Sequence, residues 1–143
     1  MSIEIEIKGH GGGIGIVVLG YENPAATNSS DANWLVSRVR VGIGPFRGEV
    51  SATFTTQDFA RFRQQLRAFL EGERSSATFE TDEQALELRI EGKPAGAIPI
   101  SGTIRQLSAP TVVLSFRLDS DQSSLRAVLD ALDAVSKELP VRG

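Results

Sequence analysis

The chain has 143 residues, 41% hydrophobic and 23% charged, with a formal net charge of −3, which suits one domain with a real core. Mild acidity argues against nucleic acid as the main partner, since phosphate binding calls for a basic surface. The absence of cysteine excludes disulfides and thiolate metal sites and points to a reducing cytoplasm. The first residues, MSIEIEIKG, lack the basic and apolar regions of a signal peptide, and no stretch approaches the roughly 20 apolar residues of a membrane span.

Ile3, Ile5 and Ile7 alternate with Glu4, Glu6 and Lys8, a period of two that predicts a half-buried strand. GHGGG at 9–13 leads into a second strand, IGIVVLGY. HGGG is also the tetrapeptide of an esterase oxyanion hole. That chemistry needs a Gly-x-Ser-x-Gly nucleophile and a separate histidine base. The chain has no such serine motif, and His10 is its only histidine, so the segment reads as a hairpin turn. Nor does Gly15-x-x-x-x-Gly20 continue as a P-loop, because Tyr21-Glu22 follows it.

Residues 22–33, ENPAATNSSDAN, read as a loop. The next strand, WLVSRVRVGI, places Leu35, Val39, Val41 and Ile43 on one face and Trp34, Val36, Arg38 and Arg40 on the other. After Gly44-Pro45, FRGEVSATF points Phe46, Val50, Ala52 and Phe54 inward. The period then becomes helical. Thr55-x-x-Asp58 resembles a capping box, and Phe59, Phe62, Leu66, Phe69 and Leu70 form one stripe that stops near Gly72. Arg61, Arg63, Arg67 and Arg74, interleaved with Asp58, Glu71 and Glu73, read as a solvated face.

Four more strands follow in ATFET, ALELRIE, GAIPISGTIRQL and TVVLSFRLD. Asp119-x-Asp121 after the last of them resembles a phosphatase nucleophile loop. The long α/β domain such chemistry needs is missing, since about two dozen residues remain. Ser124 stands where a calcium loop needs glycine, so the segment reads as a helix cap supplied by Asp119, Ser120 or Asp121. The closing helix carries Leu125, Val128, Leu129, Leu132 and Val135 on one stripe. The expectation is a single α+β domain over residues 1–143: a twisted, mostly antiparallel sheet of about eight strands, with two amphipathic helices on one face. Glu4, Glu6, Arg38, Arg40, Arg47, Glu49, Glu87, Arg89 and Glu91 belong to the opposite, solvated face.

One pattern runs nearly the whole chain: GYENP at 20–24, DANWL at 31–35, FRGEVSATFTTQDFARFRQQL at 46–66, ATFET at 77–81, DQSSL at 121–125 and LPV at 139–141. It resembles the small bacterial WapI-family immunity proteins. The resemblance implies a non-enzymatic cytoplasmic protein that binds and neutralises a cognate toxin domain. It carries no cofactor, metal, nucleic-acid or membrane partner, and leaves monomer and homodimer open. The longest irregular segment is the natural partner surface, with Tyr21, Asn23, Asp31, Asn33 and Trp34 as candidate contacts. Trp34 either plugs the core edge or anchors the partner. The competing reading is a small-ligand-binding protein or minor enzyme that uses the exposed sheet face.

Overall fold

The computed structural model describes residues 2–143. Its elements are β1 (Ile3–Gly9), β2 (Gly12–Tyr21), α1 (Ser29–Ala32), β3 (Trp34–Ile43), β4 (Phe46–Thr55), α2 (Thr56–Leu70), β5 (Ser76–Phe79), β6 (Leu86–Glu91), β7 (Ile98–Gln106), β8 (Val112–Ser120) and α3 (Gln122–Glu138). The expected strands are all present. They divide into two four-stranded antiparallel meanders, β1-β2-β3-β4 and β5-β6-β7-β8. Apart from the short α1, the chain therefore runs four strands and a helix, then four strands and a helix again. This topological repeat has no counterpart in the sequence.

The alternation read from the sequence sets the register. Ile5 and Ile7 of β1 lie opposite Ile16 and Ile14 of β2, and all four are buried. In β3, Leu35, Val39 and Val41 face inward together with the buried Ser37. The acidic and basic residues assigned to the outer face are exposed or half-exposed, and some pair across strands, as Arg40 does with Glu49 at 3.3 Å. Such exposed pairs add about 0–1 kcal/mol each.

Phe46 departs from the expected pattern. The period of β4 assigns it to the core, yet it is 60% exposed. It opens the strand next to the Gly44-Pro45 turn and lines a surface groove with Val112 and Val113 of β8.

The helices begin as the sequence indicates. The Thr55 hydroxyl accepts from the Asp58 N–H at 3.1 Å, and the Asp58 carboxylate accepts from the Thr55 N–H at 2.8 Å, so the capping box is complete. Asp121 caps α3 by accepting from the Ser124 N–H at 2.7 Å, and that bond holds its carboxyl below the usual carboxylate range. The helices lie against one another, α2 on β5 and α3 on β1. Arg63 and Arg67, read as part of a solvated face, instead converge on Asp133 of α3 and join the two helices.

Two features tie the sheets together. The first is aromatic. Phe79 of β5 stands edge-on to Phe54 of β4, with ring centroids 5.2 Å apart, and packs on Phe59 and Phe62 of α2 at 5.5 Å each. Such pairs contribute about 0.5–1.5 kcal/mol beyond area burial. The second is the glycine hairpin. The His10 N–H donates to the Asp119 carbonyl at 2.7 Å, and the Ser120 hydroxyl donates to the Lys8 carbonyl at 2.6 Å. A Cβ on Gly9 would press on the Leu118 side chain and come within 2.6 Å of the Asp119 carbonyl oxygen. Gly12, at φ +151°, would strike the Gly42 carbonyl oxygen in the same way.

These ties set the stability expected of three variants. Phe62→Ala should cost ~3–5 kcal/mol, the range for aromatic truncation in a core, read from denaturant unfolding. Gly9→Ala should cost about 1–3 kcal/mol, as overpacking does. His10→Ala removes an exposed side chain and should stay within about 0.5 kcal/mol; the reverse order in thermal melts would contradict this account of the hairpin.

Candidate partner-binding loop

The loop leaves β2 at Tyr21 and re-enters the sheet at Trp34, and the Glu22 N–H closes its base on the Trp34 carbonyl at 2.8 Å. Part of the expected irregular segment is helical. Asn28 caps the single turn of α1 by accepting from the Asp31 N–H at 3.0 Å. Trp34 is half-buried and donates its indole N–H to the Ser30 carbonyl at 3.0 Å, so the ring edge is fixed by the turn below it. Its neighbours Asp58, Arg61, Glu80, Asp82 and Glu83 line a cleft of about 180 Å³.

Asn33 is 2% exposed and all its side-chain bonds are internal. Its amide donates to the carbonyls of Ser29 at 3.1 Å and Arg142 at 2.7 Å. Its oxygen accepts from the Thr56 hydroxyl at 2.8 Å and the Arg142 N–H at 2.7 Å. Asn33 thus holds α1, the start of α2 and the C-terminal tail together. Among the five candidate contacts it is the one the fold turns inward.

Arg142 completes the clamp. Its guanidinium donates to the carbonyls of Ala32, Pro24 and Asn23 at 2.6–3.1 Å. It also lies 3.7 Å from the centre of the Tyr21 ring, a cation–π contact. The Tyr21 hydroxyl donates to the Pro140 carbonyl at 2.6 Å. Tyr21 is therefore half-buried under the tail, while Asn23 and Asp31 remain exposed. Arg142 escaped sequence reasoning because a lone arginine near a chain end carries no periodic or spacing signal; the separation of more than 100 residues between it and its acceptors is bridged only by the fold.

The other candidate features lie elsewhere. His10 is exposed and takes part in the sheet junction through its backbone alone. Among the described residues no group of three or more His, Asp or Glu side chains is placed to hold a metal ion. The outer face of the second sheet forms an open depression of about 530 Å³, lined by side chains including Glu87, Arg89, Ser101, Thr103 and Arg117.

Burial pushes the Tyr21 phenol above its ordinary value of 10.0, against the opposing pull of Arg142. The folded state then holds this proton more tightly than the unfolded state. The resulting stability is fully present below pH 10 and is lost as the pH rises through the raised folded value. Tyr21 is the single tyrosine of the chain, so tyrosinate absorbance reads it directly. Its midpoint should lie above 10 in the native protein and return to about 10 in denaturant.

The fold is shared with solved structures of distant sequence. WHY1 from Arabidopsis thaliana superposes with a TM-score of 0.56 at 11% identity, over 98% of this chain and 92% of that one. MRP1/MRP2 from Trypanosoma brucei gives 0.50 at 14% identity, over 96% and 84%. A guide-RNA-binding protein complex bound to a gRNA gives 0.48 at 15% identity, over 87% and 79%. At these identities the likeness to the first two is one of fold. No curated protein sequence matches the chain. The sequence itself matches a family model over residues 4–140, and the chain belongs to the immunity protein WapI-like family.

Proposed function

We propose that the protein acts by binding, without catalysis, to a toxin domain that it neutralises in the bacterial cytoplasm, and that the loop from Tyr21 to Trp34 supplies part of the contact surface. Membership of an immunity protein family carries this reading. The loop's construction supports it. Asn23 and Asp31 stand exposed on a segment whose backbone is held at both ends by Arg142 and Asn33. A surface held this way loses little conformational entropy on association. Trp34 and the carboxylates of Glu80, Asp82 and Glu83 border the same cleft, and the net charge is −3. A basic partner would be steered toward such a surface. No helix among the described residues is long and apolar enough to cross a membrane.

The test is capture of a toxin domain, taken from the neighbouring genes where one encodes it. Asn23→Ala with Asp31→Ala leaves the Arg142 clamp in place and should weaken capture by about tenfold or more, as loss of a hot-spot contact does. The thermal midpoint should stay close to that of the parent. Tyr21→Ala serves less well, because it also removes the ring beneath Arg142 and the bond to Pro140. Undiminished capture by the double variant would place the binding surface elsewhere.

A further inference from the structure

We infer that β4 is a dimerisation edge, taken by the β4 strand of a second copy of this chain. Of the four edge strands, β1 lies against α3, β5 lies against α2, and β8 is bridged to the first sheet only at Asp119. β4 pairs only with β3, and its first four residues, Phe46 to Glu49, are exposed. An open strand edge offers a row of unpaired backbone donors and acceptors to another strand.

The side chains on this edge are self-complementary about a two-fold axis at Gly48. Antiparallel pairing of two β4 strands about that point sets Arg47 opposite Glu49 of the second copy, and Glu49 opposite Arg47 of the second copy. Opposite charges directly across a strand pair stabilise it, whereas like charges oppose it. The same register sets Phe46 opposite Val50 of the second copy. Phe46 and Val50 of each copy line a groove of about 380 Å³ with Val41, Ile104, Val112, Val113 and Leu114, and Arg47 and Glu49 border it. Phe46 at 60% exposure, Val112 at 54% and Val113 at 53% would then be covered together. The contact is isologous, as closed two-fold dimers require.

Sedimentation equilibrium of the full chain should give twice the 15.4 kDa chain mass. Phe46→Glu and Arg47→Glu should each return it to the single-chain mass with the circular dichroism spectrum unchanged. The chain has no cysteine, so Gly48→Cys introduces a single thiol. A Cβ at that position meets only Val41 Cγ1, at 3.6 Å, and the variant should fold. Residues facing one another across a strand pair lie within disulfide range, so mild oxidation should link Gly48→Cys into a covalent dimer. Phe46→Glu in the same chain should abolish that link. A wild-type chain that stays monomeric at every concentration tested, or a dimer that survives both charge substitutions while Gly48→Cys fails to cross-link, would overturn the assignment.

Discussion

Where Gly9 passes Asp119 the molecule has no room for a side chain. The backbone of β1 runs against the end of β8 closely enough for His10 to donate to the Asp119 carbonyl and for Ser120 to donate to the Lys8 carbonyl. The two sheets share no ladder, and this is the place where their backbones are joined by hydrogen bonds. Both hydrogen bonds across this junction depend on the approach being this close. The glycine-rich hairpin is thereby accounted for in steric terms: Gly9 and Gly12 each lie against a carbonyl oxygen that a Cβ would strike.

On that frame the hydrophobic core is continuous across both sheets and both long helices. Phe54, Phe59, Phe62 and Phe79 come from β4, α2 and β5 and meet edge-on or tilted. The helix that follows the first sheet thus packs on the first strand of the second sheet, and α3 packs on the first strand of the first. Each four-stranded meander borrows its cover from a helix next to it in space. Neither could bury its apolar face alone, which is why the two halves form one core. The same architecture in proteins as distant as 11–14% identity is a property of this packing scheme.

The candidate binding loop shows how order in a polar segment can come from far away in sequence. Its own residues supply one capped helical turn and the tryptophan bond to Ser30. The remainder is fixed by Arg142 and by the buried amide of Asn33, whose partners lie in α1, α2 and the tail. Charge and aromatic groups at its surface are therefore presented on a backbone with little freedom left, the condition under which a small polar surface binds with useful affinity.

By itself the sequence determined the features that depend on neighbours along the chain. Alternation in Ile3–Lys8 and Trp34–Ile43 fixed strands and their inward faces, because side chains of a strand alternate sides. Thr55-x-x-Asp58 marked one helix start and the Asp119–Asp121 segment the other, because capping bonds span three residues; the structure selected Asp121 as the second cap. The motifs from GYENP to LPV carried the family. Tertiary structure alone decided what depends on residues far apart. It split eight strands into two sheets and left Phe46 outside the core despite its phase. It drew Arg63 and Arg67 to Asp133. It also turned Asn33 from a loop side chain into a buried clamp on Arg142. Each of these outcomes rests on contacts between segments whose separation in sequence carries no periodicity, so no local pattern encodes them.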